Sequence, residues 1–310
     1  MGDSCSNSKR VKLRDGRFLA YVEEGVPKEE AKHKIIIVHG FGCSKNMNFP
    51  ASKELIEELG VYFLIHDRSG YGESDSKAKR SVKSEVDDIA ELADQLEIGP
   101  KFYLIGISMG SYPAWGCLKH IPHRLSGVAF VAPTVNYQWP SLPEKLIKKD
   151  YRRVFIKWCL WISEHAPGLL HYWLIQMLFL TTITIIKGAA FYFNSHDLDV
   201  LERPTGFPMV KDKQQLKIVF DTIRDDFVAC FEKWDFEPAD ISISEESSVH
   251  IWHGKEDKLV PAQLQRCILE KQPLINYHEV PDGGHLIGVY NGICDAVLYA
   301  LLLGEVRKSL

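Results

Sequence analysis

Apolar and polar positions switch period repeatedly along the first 136 residues. KRVKLRDGRFLAYVEEG reads as two short strands joined by a hairpin turn at Asp15-Gly16, a dipeptide that accepts the left-handed backbone of a tight turn. HKIIIVHG follows with an unbroken apolar run at residues 35–38, the pattern of a strand covered on both faces. ASKELIEELG has helical character and ends on Gly60, and VYFLIHD at residues 61–67 is strand again. Val86, Ile89, Ala90, Ala93 and Leu96 recur at three- and four-residue steps, which predicts a helix with one buried face. KFYLIG and GVAFVAP supply the next two strands. Strands alternating with helices predict an α/β fold with a mostly parallel central sheet flanked by helices.

The alternation lapses between residues 137 and 234, where tryptophan, tyrosine, leucine and proline crowd together with a basic segment, EKLIKKDYRRVFIKW. It resumes with SSVHIWHG, then INYHEV, then a closing helix at residues 296–303. The expected organisation is therefore one core domain built from residues 1–136 and 235–310, interrupted by a helical cap insertion at residues 137–234. At 310 residues and 45% hydrophobic composition, the chain can bury a core of that size. A net charge of −4 gives no basis for nucleic acid or an anionic membrane as the main partner. The seven cysteines, at 5, 43, 117, 159, 230, 267 and 294, form neither a CxxC pair nor a metal-ligand spacing, and their odd number argues for a reducing compartment. The N-terminal MGDSCSNSKRVK has no apolar core of a signal peptide, so the cytoplasm is expected. Two membrane readings stay open beside it. GDSCS loosely matches an acylation pattern at Gly2, though Asp3 fits it poorly, and the uncharged run at residues 168–186 is nearly long enough to span a bilayer. His171, Gln176 and three threonines inside that run favour a greasy helix of the cap, and no stable membrane insertion is expected.

Chemistry enters at LIGISMGSYP. Gly106-Ile107-Ser108-Met109-Gly110 follows a strand and precedes a helix, the context in which G-x-S-x-G forms a nucleophile elbow. Glycines permit so tight a turn, and the serine is left strained with its hydroxyl pushed out of the sheet. A serine hydroxyl needs a base and a group that orients the base. HGKEDKLVP, after the VHIW strand, offers Asp257, with Glu256 adjacent; VPDGGHL, after YHEV, offers His285. No carboxylate directly follows GVAFVAP, which favours the later acid. An oxyanion hole would draw on the amides of Met109, next to the nucleophile, and Phe41, in the loop His39-Gly40-Phe41-Gly42, where His39 is read as shaping the loop. No metal-ligand cluster or phosphate-cradling glycine loop is evident, so no cofactor is expected and the partner is a small-molecule ester.

Together, "HGFG", "DRSGYGESD", "GISMG", "HGKEDKLVP" and "GGH" resemble the α/β-hydrolase superfamily, with its landmarks in order over essentially the whole chain. "ELGVYFLIHDRSGYGESD", "SMGSYPAWGCLKHIP" and "KQPLINYHEVPDGGHL" are similar to a plant group of serine hydrolases of the carboxylesterase type, some relatives of which act in indole-alkaloid biosynthesis. That resemblance implies cleavage of an alkaloid methyl ester whose acid product then loses carbon dioxide. LFLTTITIIKGAAFYF is more apolar than the corresponding segment of that group, which suits a bulkier hydrophobic ligand roofed by Trp139, Trp173 and Phe179, or a cap helix buried against its neighbours. A triad-dependent lyase and a hydrolase-derived small-molecule receptor remain alternatives; an epoxide or haloalkane hydrolase would carry aspartate at position 108.

Overall fold

The computed structural model describes residues 9–170, 192–202 and 220–304. Eight strands form one sheet in the order β1-β2-β4-β3-β5-β6-β7-β8. The first two, β1 (Lys9–Lys12) and β2 (Phe18–Gly25), are the expected hairpin, with Gly16 at a φ of 90° in the turn. β2 lies antiparallel to β4 (Val61–His66), and from there every pairing is parallel: β4 with β3 (His33–Val38), β3 with β5 (Phe102–Ile107), then β6 (Leu125–Val131), β7 (Ser248–Gly254) and β8 (Asn276–Val280).

The apolar run of β3 is buried on both sides because successive side chains enter different layers. Ile36 and Val38 join Leu64, Leu104, Val128 and Ile251 on the face covered by α2 (Val82–Gln95) and α3 (Ser111–His120). Ile35 and Ile37 join Phe63, Ile105 and Val131 on the opposite face, under α1 (Lys53–Leu59) and the closing helix at residues 293–303. Gly60 ends α1 in the left-handed conformation, with a φ of 63°. β3 sits between β4, which follows it, and β5, which comes later. The strand order therefore reverses there, the switch point at whose carboxyl edge open α/β sheets bind their ligands.

Between β6 and β7 the chain leaves the sheet. Its described helices include α4 (Glu144–Lys149), α5 (Tyr151–His165), α6 (Ser195–Glu202) and α7 (Phe220–Phe231). The return is followed by α8 (Ala262–Leu269) between β7 and β8, and α9 (Ile293–Leu303) closes the fold. Most of the uncharged run at residues 168–186 lies outside the described residues; among those described, no helix is long and apolar enough to cross a membrane. Cys43, Cys117, Cys159, Cys230, Cys267 and Cys294 are free, buried thiols.

A charged cluster inside the protein ties α7 to the core. The Asp226 carboxylate is 0% exposed and receives both terminal nitrogens of Arg68, one of them at 2.8 Å. The hydroxyls of Tyr71 and Tyr112 donate to it at 2.7 and 2.8 Å, and Arg80 Nη2 lies 3.1 Å away. Arg80 Nε is also 2.7 Å from Glu85 Oε1, a Coulombic contact without hydrogen-bond alignment. Burial alone would push the Asp226 carboxyl up, but Arg68 and Arg80 outweigh it and hold the group well below the usual carboxylate range. Removing the central charge leaves two buried guanidiniums with only Glu85 to balance them. Asp226→Asn is therefore expected to lower the unfolding free energy by about 3–5 kcal/mol, read from urea denaturation.

Candidate active site

β5 runs directly into Ser108, whose φ of 50° lies in the left-handed region that non-glycine residues avoid. The packing around it enforces the strain. A Cβ on Gly106 would lie 2.7 Å from the carbonyl oxygen of Gly110, and one on Gly110 would lie 2.1 Å from that of Val38. Only glycine at both positions lets β3, the turn Ser108–Gly110 and the start of α3 converge.

From this elbow the Ser108 hydroxyl donates to His285 Nε2 at 2.9 Å. His285 stands in the loop after β8, and its Nδ1 donates to Asp257 Oδ2 at 2.8 Å. That bond fixes the tautomer and leaves Nε2 as the acceptor facing the serine. Asp257, after β7, is itself pinned: its Oδ1 accepts the amides of Leu259 and Val260, each at 2.8 Å. Burial of the His285 imidazole disfavours its charge, yet the Asp257 carboxylate, its hydrogen bond, and the carboxylate of Asp197 together raise the pKa above histidine's ordinary value. Burial would raise Asp257 in turn, but the charge and hydrogen bond of His285 hold it low. Glu256, the neighbouring carboxylate, turns toward Asn194 Nδ2 at 3.4 Å.

The loop expected to supply the second oxyanion donor lies against the elbow. A Cβ on Gly40, beside Phe41, would come within 3.1 Å of Ser108 Cβ and 3.7 Å of its Oγ. Met109 is the second residue of the elbow turn. His39 is fully buried; its Nδ1 donates to the Gly40 carbonyl at 2.8 Å and its Nε2 accepts the Arg68 amide at 3.0 Å. Both nitrogens are engaged, and burial followed by the nearby Arg68 charge push its pKa well down, so the ring is neutral and shapes the loop.

Trp139 is 3% exposed and packs edge-on against Trp234, with centroids 5.4 Å apart, while Trp173 and Phe179 lie outside the described residues. A small cavity of about 40 Å³ lies between the insertion and the Asp257 loop, lined by Thr134, Tyr137, Arg152, Phe231, Leu259 and Val260. Sequence reasoning did not single out Asp197. This fully buried carboxylate reaches from α6 to the backbone of His285 and Leu286, accepting each amide at 2.9 Å. The signal was faint: Asn194 three residues earlier, whose side chain caps α6 by accepting the Asp197 amide at 2.9 Å.

A doubly wound, mostly parallel sheet with a serine elbow at its carboxyl edge defines the α/β-hydrolase fold. The chain belongs to the α/β-hydrolase family whose model is described as serine aminopeptidase, S33, matching it over residues 29–288. Solved structures of the same fold include MGS-M2, an α/β hydrolase from a Medee basin deep-sea metagenome library. It is 14% identical, with a TM-score of 0.66 over 97% of this chain and 99% of that one. An enol-lactonase from Burkholderia xenovorans LB400 is 14% identical, with a TM-score of 0.61 over 96% and 100% of the two chains. A thermophilic esterase from Thermogutta terrifontis is 20% identical, with a TM-score of 0.52 over 90% and 92%. The protein is thus an enzyme of the hydrolase class.

If His285 is the base, it must be neutral to act. Because its pKa is raised, kcat/KM is expected to fall with decreasing pH through a limb lying above histidine's ordinary value of about 6.5, read from a pH–rate profile.

Proposed function

We propose that the protein is a serine carboxylesterase acting through Ser108, His285 and Asp257. One observation carries the reading: an unbroken hydrogen-bonded path from the strained serine through a tautomer-fixed imidazole to a buried carboxylate, at 2.9 and 2.8 Å. His285 takes the Ser108 proton as Oγ attacks the ester carbonyl. The tetrahedral oxyanion rests on the amides of Phe41 and Met109. Collapse expels the alcohol with the proton from His285, leaving an acyl-serine. Water, deprotonated by the same imidazole, then attacks, and the acid departs as Ser108 recovers its proton.

On this reading, residues 137–234 act as a cap over the site. The substrate is a carboxylic ester of a bulky hydrophobic small molecule, and the enzyme works in the cytoplasm. An esterase and an enol-lactonase on the same fold are compatible with ester chemistry. The sequence likeness to plant hydrolases adds a methyl ester of a monoterpene indole alkaloid as a substrate to test, in the manner of norfluorocurarine synthase, with decarboxylation of the released β-carbonyl acid.

Exposure to a fluorophosphonate is expected to give one covalent adduct by intact mass on the wild type and none on Ser108→Ala. Methanol release from a bulky methyl ester should fall in that variant by at least about 1000-fold. A folded wild type that takes no adduct would overturn the serine nucleophile and turn attention to a ligand receptor on the same scaffold.

A further inference from the structure

A serine, histidine and aspartate drawn from the core would suffice for the chemistry proposed above, yet a second carboxylate reaches the histidine from the insertion. Asp197 lies near the start of α6 and is fully buried. Three donors converge on it. The His285 amide gives a hydrogen bond to Oδ2 at 2.9 Å, while the Leu286 amide and the Tyr290 hydroxyl give bonds to Oδ1 at 2.9 and 2.7 Å. The approach is close enough to dictate the neighbouring residue, because a Cβ on Gly284 would sit 2.0 Å from Asp197 Oδ2. Tyr290 completes the clamp by accepting the Gly284 amide at 3.1 Å. Asn194 holds the other side, through the Asp197 amide at 2.9 Å and the Asp282 carbonyl at 2.9 Å.

We propose that Asp197 is a positioning residue for His285: from the insertion it fixes the backbone that carries the imidazole and places a second negative charge beside it. The inference rests on the serine-hydrolase reading. Two consequences follow. The first is geometric, since a loop free to shift moves Nε2 off the Ser108 hydroxyl, and near-attack geometry is sensitive to displacements on the scale of 1 Å. The second is electrostatic. The charged and titratable groups around the imidazole are Asp257 from the loop after β7, with His253 from the end of β7 against that carboxylate at 3.4 Å, Asp197 from α6, and the Tyr290 hydroxyl behind Asp197. His253 is kept neutral by burial, its Nε2 donating to the Val260 carbonyl at 2.9 Å, so the imidazolium formed during attack meets two carboxylates. Their charges favour that cation and raise its pKa against the cost of burial.

The test is Asp197→Asn, which keeps the shape and removes the charge. One of its two positions, opposite the His285 amide or opposite the Leu286 amide and Tyr290 hydroxyl, then carries an NH2 that cannot accept. Its kcat is expected to fall on the order of 100-fold with KM within about threefold of wild type. Its acid limb in kcat/KM should move to lower pH by at least about 0.5 unit, because a neighbouring negative charge no longer supports the imidazolium. A folded variant with wild-type kcat, or with an acid limb that does not move, overturns the proposal. Should Asp197→Asn fail to fold by circular dichroism, Tyr290→Phe is read instead. It removes one bond to the clamp and one to Gly284 but keeps the charge, so kcat should fall by about 3- to 10-fold with the acid limb in place, and a wild-type kcat overturns the proposal. Fluorophosphonate labelling of the wild type separates this inference from its foundation. No adduct removes the serine-hydrolase reading and the inference with it, whereas an adduct together with an unaltered Asp197→Asn profile removes the inference alone.

Discussion

A single buried charge, the Asp226 carboxylate, sets the terms on which the insertion meets the core. Taking a carboxylate and two guanidiniums out of water is tolerable only if each finds counter-charge and donors, and here Arg68, Arg80, Tyr71 and Tyr112 saturate it. Arg68 is also the residue whose amide fixes His39, and its Nη2 lies 3.5 Å from the Gly40 carbonyl. Electrostatic satisfaction of one insertion residue therefore extends, through two hydrogen bonds and one long contact, to the loop packed against Ser108. This cluster thereby helps hold the loop that carries Gly40 and Phe41.

The histidine side follows a similar logic. Asp257 orients the ring, and Asp197 holds the main chain beneath it, so the imidazole is gripped at its tip and at its root. One insertion helix thus meets the elbow's loop side and another meets its base side. Strain at Ser108 persists because glycines at 106 and 110 allow β3, β5 and α3 to close around it, leaving the backbone no relaxed alternative.

Much of this was legible in the chain. The runs at residues 35–38 and 61–67, the helical face from Val86 to Leu96, and the Asp15-Gly16 turn all carry local periodicity, and the elements fall where the pattern places them. Ser108, Asp257 and His285 could be picked out because each follows a strand end in a fixed order, and the fold brings them into hydrogen-bonding contact. Asp226 and Asp197 were not visible. Each sits in the stretch where periodicity lapses, and each makes its decisive contacts with partners 158 and 88 residues away in the chain, a separation no local pattern encodes. The antiparallel seat of β2 beside β4 was equally hidden, since sheet order depends on packing between distant strands.

The double grip on the insertion also bears on how such a protein can diversify. A helical segment spliced between two strands invites the view of a module, exchangeable between relatives to change what the enzyme accepts. Here a transplanted segment would have to bring two carboxylates at the right places, or the recipient core would be left with Arg68 and Arg80 sharing a single counter-charge, Glu85, and the His285 loop untethered. Chimeras and natural recombinants of this protein are therefore constrained to inherit Asp197 and Asp226 along with the arginines and the histidine they serve, so that inheritance of the insertion is coupled to inheritance of the core.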